Sequence, residues 1–409
     1  MLSNDATQIW RVLSITCMAS MLCLVTAACS SIPRHAEPPG SANRAVVPGF
    51  TDIRLNPLTD PAPTRATLQH AFDSETADSY DELPDGTRVY NYLSVSGGGS
   101  DGAFGAGLLN GWTKAGDRPK FKVVTGVSTG ALIAPFAFLG PDYDETLRKS
   151  YTTVDASRIF LTRSLLSMLF SESLTDTGPL KQLVASYIDE KVLDAIAVEY
   201  AKGRRLYVLS TNLDAEQPIF WDLGAIASSK NPKRVDLFRT VLVASAAIPA
   251  VFPPVMLDVT VDGQHYDEMH VDGGVFFQSF NIGNMIDLPT AIAEAHPDFK
   301  GKIIQRLYII RNGRVTPDPR QIDRSLSSIA VRAIGTMFKV SGMNDLYRLY
   351  LSSIHDQLDF HYITIPLEFE SKTDAQFNEA EMNRQYKFGE EMALKGIPWQ
   401  TVPPGYQLK

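Results

Sequence analysis

From Arg88 onward the chain alternates short strand-like runs with helix-length stretches, and glycines sit at the joints. No other feature restricts the fold as much. Residues 89–96 (VYNYLSVS) are rich in β-branched and aromatic residues and run into Gly97. A helix rich in small residues is expected over 103–112. A second strand over 121–125 (FKVVT) ends at Gly126, and a helix is expected over 129–139. Further strands are expected at 205–212, 218–222, 303–311 and 360–365. A hairpin joins 255–261 to 265–271 around Asp262-Gly263. Helices are expected at 235–246, 325–353 and 375–394. Repeated alternation of this kind implies an α/β fold with a mostly parallel sheet covered on both faces. No repeat at solenoid or propeller periods interrupts it.

Three glycine-marked turns carry the chemistry. The first is Gly97-Gly98-Gly99-Ser100-Asp101-Gly102, between a strand and a helix. Consecutive glycines let the backbone approach a ligand closely, and the helix N-terminus adds positive potential, so an anion belongs there. The spacing also fits a dinucleotide fold, which wants an acid after the second strand. Asp117 has roughly that separation but lies before the second strand, and a different motif follows that strand. That motif is Gly126-Val127-Ser128-Thr129-Gly130. It has the form of a nucleophile elbow, a sharp turn that exposes a serine between a strand and a helix. The third turn, His270-Val271-Asp272-Gly273-Gly274, ends a hairpin strand in an acid and two glycines.

A serine needs a base. His355 and His361 lie late in the chain, as a Ser-Asp-His order requires, although no glycine turn holds either. Asp272 is the better candidate.

The three turns in this order, with the proline-containing segment SAAIPAVFPP at 245–254, resemble the patatin-like phospholipase family over about residues 90–280. The resemblance implies a three-layer α/β/α sandwich and a serine acyl hydrolase acting on lipid esters. It implies Ser128 as nucleophile, Asp272 as its partner in a dyad without histidine, and N–H groups of Gly98, Gly99 and Ser100 as donors to the oxyanion. The sequence departs from the family at Asp101, where Arg or Lys is usual. A rival reading, a catalytically inert lipid- or partner-binding lipoprotein, rests on that departure and on the long N-terminal arm.

Residues 12–28 (VLSITCMASMLCLVTAA) carry no charge and end in small residues, which reads as a signal peptide over 1–28. Cys29 follows directly, and the arrangement resembles the lipobox of bacterial lipoproteins. That resemblance implies lipidation of Cys29, and Ser30 after it is compatible with an outer-membrane address facing the periplasm. Cys17, Cys23 and Cys29 are the three cysteines of the chain. A disulfide framework in the body is therefore excluded. Residues 29–87 hold seven prolines between Pro33 and Pro63 and then six acids, from Asp73 to Asp85. They read as an irregular arm, part packed and part spacer, that would reach roughly 40 Å if fully flexible. The hydrolase domain is expected over 88–409.

Of the 409 residues 44% are hydrophobic, too many for a disordered chain, and the net charge of −8 argues against nucleic acid as the main partner. No zinc-protease, EF-hand or phosphate-loop pattern implies a metal, nucleotide or other cofactor. The apolar run 159–170 (IFLTRSLLSMLF) is either core or a lipid-facing lid, and Lys230, Lys233 and Arg234 form a small basic turn.

Overall fold

The computed structural model describes residues 33–406 apart from 160, 163–172, 174, 286–289, 291–292, 295 and 374. The leader, Cys29 and nearly all of the 159–170 run therefore lie outside the described residues.

The centre is a ten-stranded sheet. Five strands form its parallel core, in the order β12 (Asp359–Thr364), β11 (Ile303–Arg311), β3 (Arg88–Val95), β4 (Phe121–Val127) and β7 (Arg205–Asn212). Antiparallel strands complete the margins. β8 (Gln217–Asp222) pairs with β7, and β1 (Arg54–Leu55) pairs with β8. β9 (Val255–Val261) and β10 (Gln264–Asp272) form the expected hairpin, whose turn residues Asp262 and Gly263 both have positive φ. β2 (Asp81–Glu82) lies on β3, and a separate pair joins β5 (Leu161–Thr162) to β6 (Thr175–Asp176).

Side-chain parity divides the core into two. Leu93, Val95, Val124, Leu206, Val208 and Ile310 point into one apolar cluster. Tyr90, Tyr92, Val127, Tyr207, Leu209 and Ile309 point into the other. Alternation along a strand forces this division, and burial on both faces explains why the strands are apolar nearly throughout. Helix α1 (Pro61–Asp73) lies on the second face. The first face is covered by α2 (Gly102–Ala115), α3 (Thr129–Leu139), α4 (Asp144–Thr152), α5 (Gly178–Tyr187), α6 (Glu190–Ala201), α7 (Leu223–Ser228) and α8 (Arg234–Ser245). The C-terminal half of α9 (Leu326–His355) returns to the second face, and α10 (Glu379–Leu394) to the first. The fold is thus a three-layer α/β/α sandwich. Backbones of α2 and α10 approach closely: a Cβ on Gly107 would lie 1.9 Å from the Tyr386 carbonyl oxygen.

One boundary differs from expectation. The last helix begins at Glu379 rather than 375, because the Asn378 side chain caps it by accepting the Glu381 N–H. The described part of the arm packs on the body. Phe50, Ile53 and Leu55 are buried, and α1 starts from the Asp60 cap with Pro61 at its first position. Two of its acids are paired with cations of the body. Glu75 meets Arg88 and Lys122, each at 2.8 Å, and also Tyr90, while Asp78 meets Lys202 at 2.9 Å. Composition could not reveal this, since the cations come from distant segments.

Candidate active site

The elbow is built by backbone crowding. β4 runs to Val127, and Ser128 then turns the chain with φ 55° and ψ −125°, a conformation a non-glycine residue adopts only at a cost. The reversal brings Gly126 and Gly130 against each other and against β3. A Cβ on Gly126 would lie 2.4 Å from the Gly130 carbonyl oxygen, and one on Gly130 2.1 Å from that of Val95. Both positions therefore exclude any side chain. Helix α3 begins at Thr129, so its N-terminal field points at the turn.

Asp272 reaches the same place by sheet register. Val127 of β4 is opposite Leu209 of β7, while Asp272 of β10 is opposite Ser210, the next residue. Leu209 and Ser210 face Phe220 and Ile219 of β8 on their other side. β4 and β10 therefore share one edge of β7, and their C-terminal ends meet there, about one strand residue apart along it. Gly273 lies at the joint, where a Cβ would be 2.3 Å from the Leu209 carbonyl oxygen.

The Asp272 carboxylate is fully buried. Its Oδ1 accepts the Gly274 N–H at 2.7 Å. Its Oδ2 has no partner at ordinary hydrogen-bond geometry, and the Ser128 hydroxyl is near enough to favour the charged form. Burial outweighs both effects and pushes the pKa up from 3.8 to about 7. Such a carboxylate can take a proton from a hydroxyl far better than an ordinary aspartate. The segment that resembled the family's proline-containing stretch supports both residues. Ser245 Oγ accepts the Ser128 N–H at 3.1 Å, and the Ala247 carbonyl accepts the Asp272 N–H at 2.8 Å.

The first glycine turn lies beside Ser128. A Cβ on Gly97 would lie 3.1 Å from the Ser128 Cβ, and Gly98 has room for none, with the Asn312 carbonyl oxygen 1.9 Å from that position. Gly99 has φ 57°. Asn312 follows β11, and its Nδ2 donates to the Ser96 carbonyl at 2.9 Å. The Ser100 hydroxyl donates to Gln376 at 3.0 Å. Asp101, the departure from the family, precedes Gly102 and accepts from Gln385 Nε2 of α10 at 2.6 Å. Burial raises its pKa to about 6, against the pull of that bond and of Arg314. A polar cluster with α10 thus stands where the family resemblance implied a cation.

The histidines take other partners. His355 is exposed and bonds Asp356. His361 stacks on Tyr308 in β12, three strands from β4. In the sheet it is level with Val124, because His361 pairs with Tyr308, Tyr308 with Leu93 and Leu93 with Val124. Neither is brought to Ser128. His270, two residues before Asp272, is held between Ser210 at 2.8 Å and Glu268 at 2.9 Å.

Residues not foreseen from the sequence hold the acid loop from behind. Gln278 Nε2 donates to the Gly274 carbonyl at 3.2 Å. Asp345 Oδ2 of α9 accepts the N–H groups of Gln278 at 2.6 Å and Ser279 at 3.1 Å. Only the acid-containing turn MND at 343–345 inside a long helix could have drawn attention to Asp345. A narrow apolar cavity is lined by Thr129, Leu132, Phe136, Leu183, Ile188 and Met382. Among the described residues no group of His, Cys, Asp and Glu side chains could hold a metal ion.

A serine in a strained turn, a buried carboxylate of raised pKa and a glycine loop at a helix N-terminus together have the geometry that acyl transfer uses. Residues 93–285 match the family model of patatin-like phospholipases, and this part of the chain is a patatin-like phospholipase domain. Solved structures that resemble the chain include VipD from Legionella pneumophila, at 12% identity with a TM-score of 0.34. That match covers 79% of this chain and 70% of VipD. They also include the type III effector protein ExoU, at 13% identity with a TM-score of 0.22, covering 76% of this chain and 54% of ExoU. No curated protein matches the chain.

Proposed function

We propose that the protein is a serine acyl hydrolase cleaving carboxylic esters of lipids, with Ser128 as nucleophile and Asp272 as its base. The observation that supports this reading most is the meeting of β4 and β10 on β7, with a carboxylate of pKa about 7 and an unpartnered Oδ2 beside a strained serine. The Ser128 oxygen attacks the ester carbonyl carbon as its proton passes to Asp272. The carbonyl oxygen becomes an oxyanion beside the N–H groups of Gly98, Gly99 and Ser100, where loss of one donor would cost about 3 kcal/mol of activation energy. The tetrahedral species collapses, and the alcohol leaves with the proton from Asp272. Water then attacks the acyl-enzyme, gives its proton to Asp272 and releases the acid, and the proton returns to Ser128.

Residues 1–28 would be removed as a signal peptide, Cys29 would carry the lipid, and residues 29–87 would join that anchor to the hydrolase body at 88–409. The body carries net negative charge, so anionic lipid would not hold it by overall charge alone.

A fluorophosphonate probe tests the chemistry. It should label wild-type protein at Ser128, and Ser128→Ala and Asp272→Asn should each abolish hydrolysis of a soluble ester while circular dichroism stays unchanged. Folded wild-type protein that neither takes the probe nor cleaves esters would support the inert-lipoprotein reading instead.

A further inference from the structure

Helix α9 is two different objects end to end. From Gly342 onward it packs on the sheet through Leu346, Leu349 and Tyr350. Among the described side chains of residues 326–341 none is buried. That half spans roughly 24 Å at 1.5 Å per residue. Solvated helices are normally polar on their outer face. This one is not: Leu326 is 86% exposed, Met337 68%, Ile329 54% and Val340 50%. Apolar residues lie around much of its circumference, so no rotation could bury them all against the body.

Its charge is as one-sided as its hydropathy. Between the flanking acids Asp323 and Asp345 the charged residues are Arg324, Arg332 and Lys339, with Arg332 bonded to the Asp318 carbonyl and Lys339 in the field of Asp318. Apolar surface with a cationic fringe is the pattern of a helix that lies in a lipid–water interface. A second copy of this chain on the same face is the competing occupant, and its signal would depend on protein concentration rather than on lipid. Nor does the helix span a bilayer, since none among the described residues is long and apolar enough to cross one.

The position of this half-helix links it to the candidate active site. A groove runs between Met337 and Val340 of α9 and Phe276 and Phe277, the residues just after the acid turn. Val275 beside them is 41% exposed. Asp345, eight residues beyond Met337, holds the backbone of Gln278 and Ser279. The apolar half of α9 is therefore a rigid extension of the helix that positions the Asp272 loop.

We propose that residues 326–340 of α9 dock the protein on an anionic lipid surface and bring the mouth of the Ser128–Asp272 site against it. The purpose of the docking rests on the lipid-ester reading above, whereas docking itself does not require turnover.

The test reads α9 directly. A full-length chain with Cys17→Ser, Cys23→Ser, Cys29→Ser and Met337→Cys carries a single thiol and no lipid anchor. It is labelled with an environment-sensitive nitrobenzoxadiazole dye, and soluble-ester hydrolysis verifies the fold. Vesicles of phosphatidylglycerol and phosphatidylcholine should raise the emission about threefold or more, pure phosphatidylcholine much less, as expected for an interfacial helix with a basic fringe. Adding Ile329→Asp should remove the response, and adding Ser128→Ala should not. A dye at Val198→Cys, on the exposed side of α6, should stay silent. A Met337 dye as silent as the Val198 dye overturns the proposal. So does a response that needs no vesicles and grows with protein concentration, which would assign the face to a second copy. If the dye responds while Ser128 proves dispensable for hydrolysis, docking stands and the catalytic reading fails.

Discussion

Replacing Asp272 with asparagine should stabilise the protein above neutral pH while abolishing turnover. The folded state raises the Asp272 pKa from 3.8 to about 7. Between those values the native state holds a proton that the unfolded chain has released. Stability therefore falls as pH rises through this window, and the full penalty is present above pH 7. At about 1.4 kcal/mol per unit, a shift of about 3 units sets a ceiling of about 4 kcal/mol. Asparagine fits the site, with its oxygen toward the Gly274 N–H and its amide toward Ser128. It forfeits the charge-assisted part of the Gly274 bond, about 1 kcal/mol. The net gain should be about 3 kcal/mol at pH 8, shrinking to near zero by pH 4. Urea unfolding followed by tryptophan fluorescence at several pH values between 4 and 8 measures it. An asparagine variant less stable than wild type at pH 8, or a difference that does not change with pH, would refute the argument that burial dominates the energetics of Asp272.

For a soluble ester, kcat/KM should rise with pH to a plateau with a midpoint near 7, because only ionised Asp272 can accept the proton; a profile flat down to pH 5 contradicts this. Gly130→Ala sets a methyl group 2.1 Å from the Val95 carbonyl oxygen and should cost about 2–3 kcal/mol in thermal unfolding. Asp345→Ala strips the acceptor from two buried N–H groups, so stability should drop by about 2–4 kcal/mol and soluble-ester turnover should fall with it. Asp101→Asn should be tolerated because Gln385 Nε2 can still donate to an amide oxygen. Asp101→Arg should lower the melting temperature and leave turnover no higher, because it sets a cation in the field of Arg314.

The parallel core was legible because its signals are local. Apolar runs of strand length, each followed by glycine, mark β3 and β4, and the glycines at 98, 126 and 130 stand where only backbone fits. Ser128 was legible for the same reason, since its strained turn is written in five consecutive residues. Which parts of the proline-rich arm pack was not legible, because composition reports a segment's solubility, not the ion pairs that distant residues such as Lys122 and Lys202 offer it.

By itself the sequence determined which elements form, where the sharp turns fall, and that a serine and an acid each sit at one of them. Only the tertiary structure decided that these two turns meet. Their meeting depends on β7 changing partner on one edge between Leu209 and Ser210, from β4 to β10. It also decided that half of α9 would stand clear of the core although its residues are as apolar as those of the packed half. Propensity and periodicity act over a few residues and favour an element wherever it ends up. Strand order, register and the burial of a helix face depend on contacts between segments more than a hundred residues apart, and no local pattern carries them.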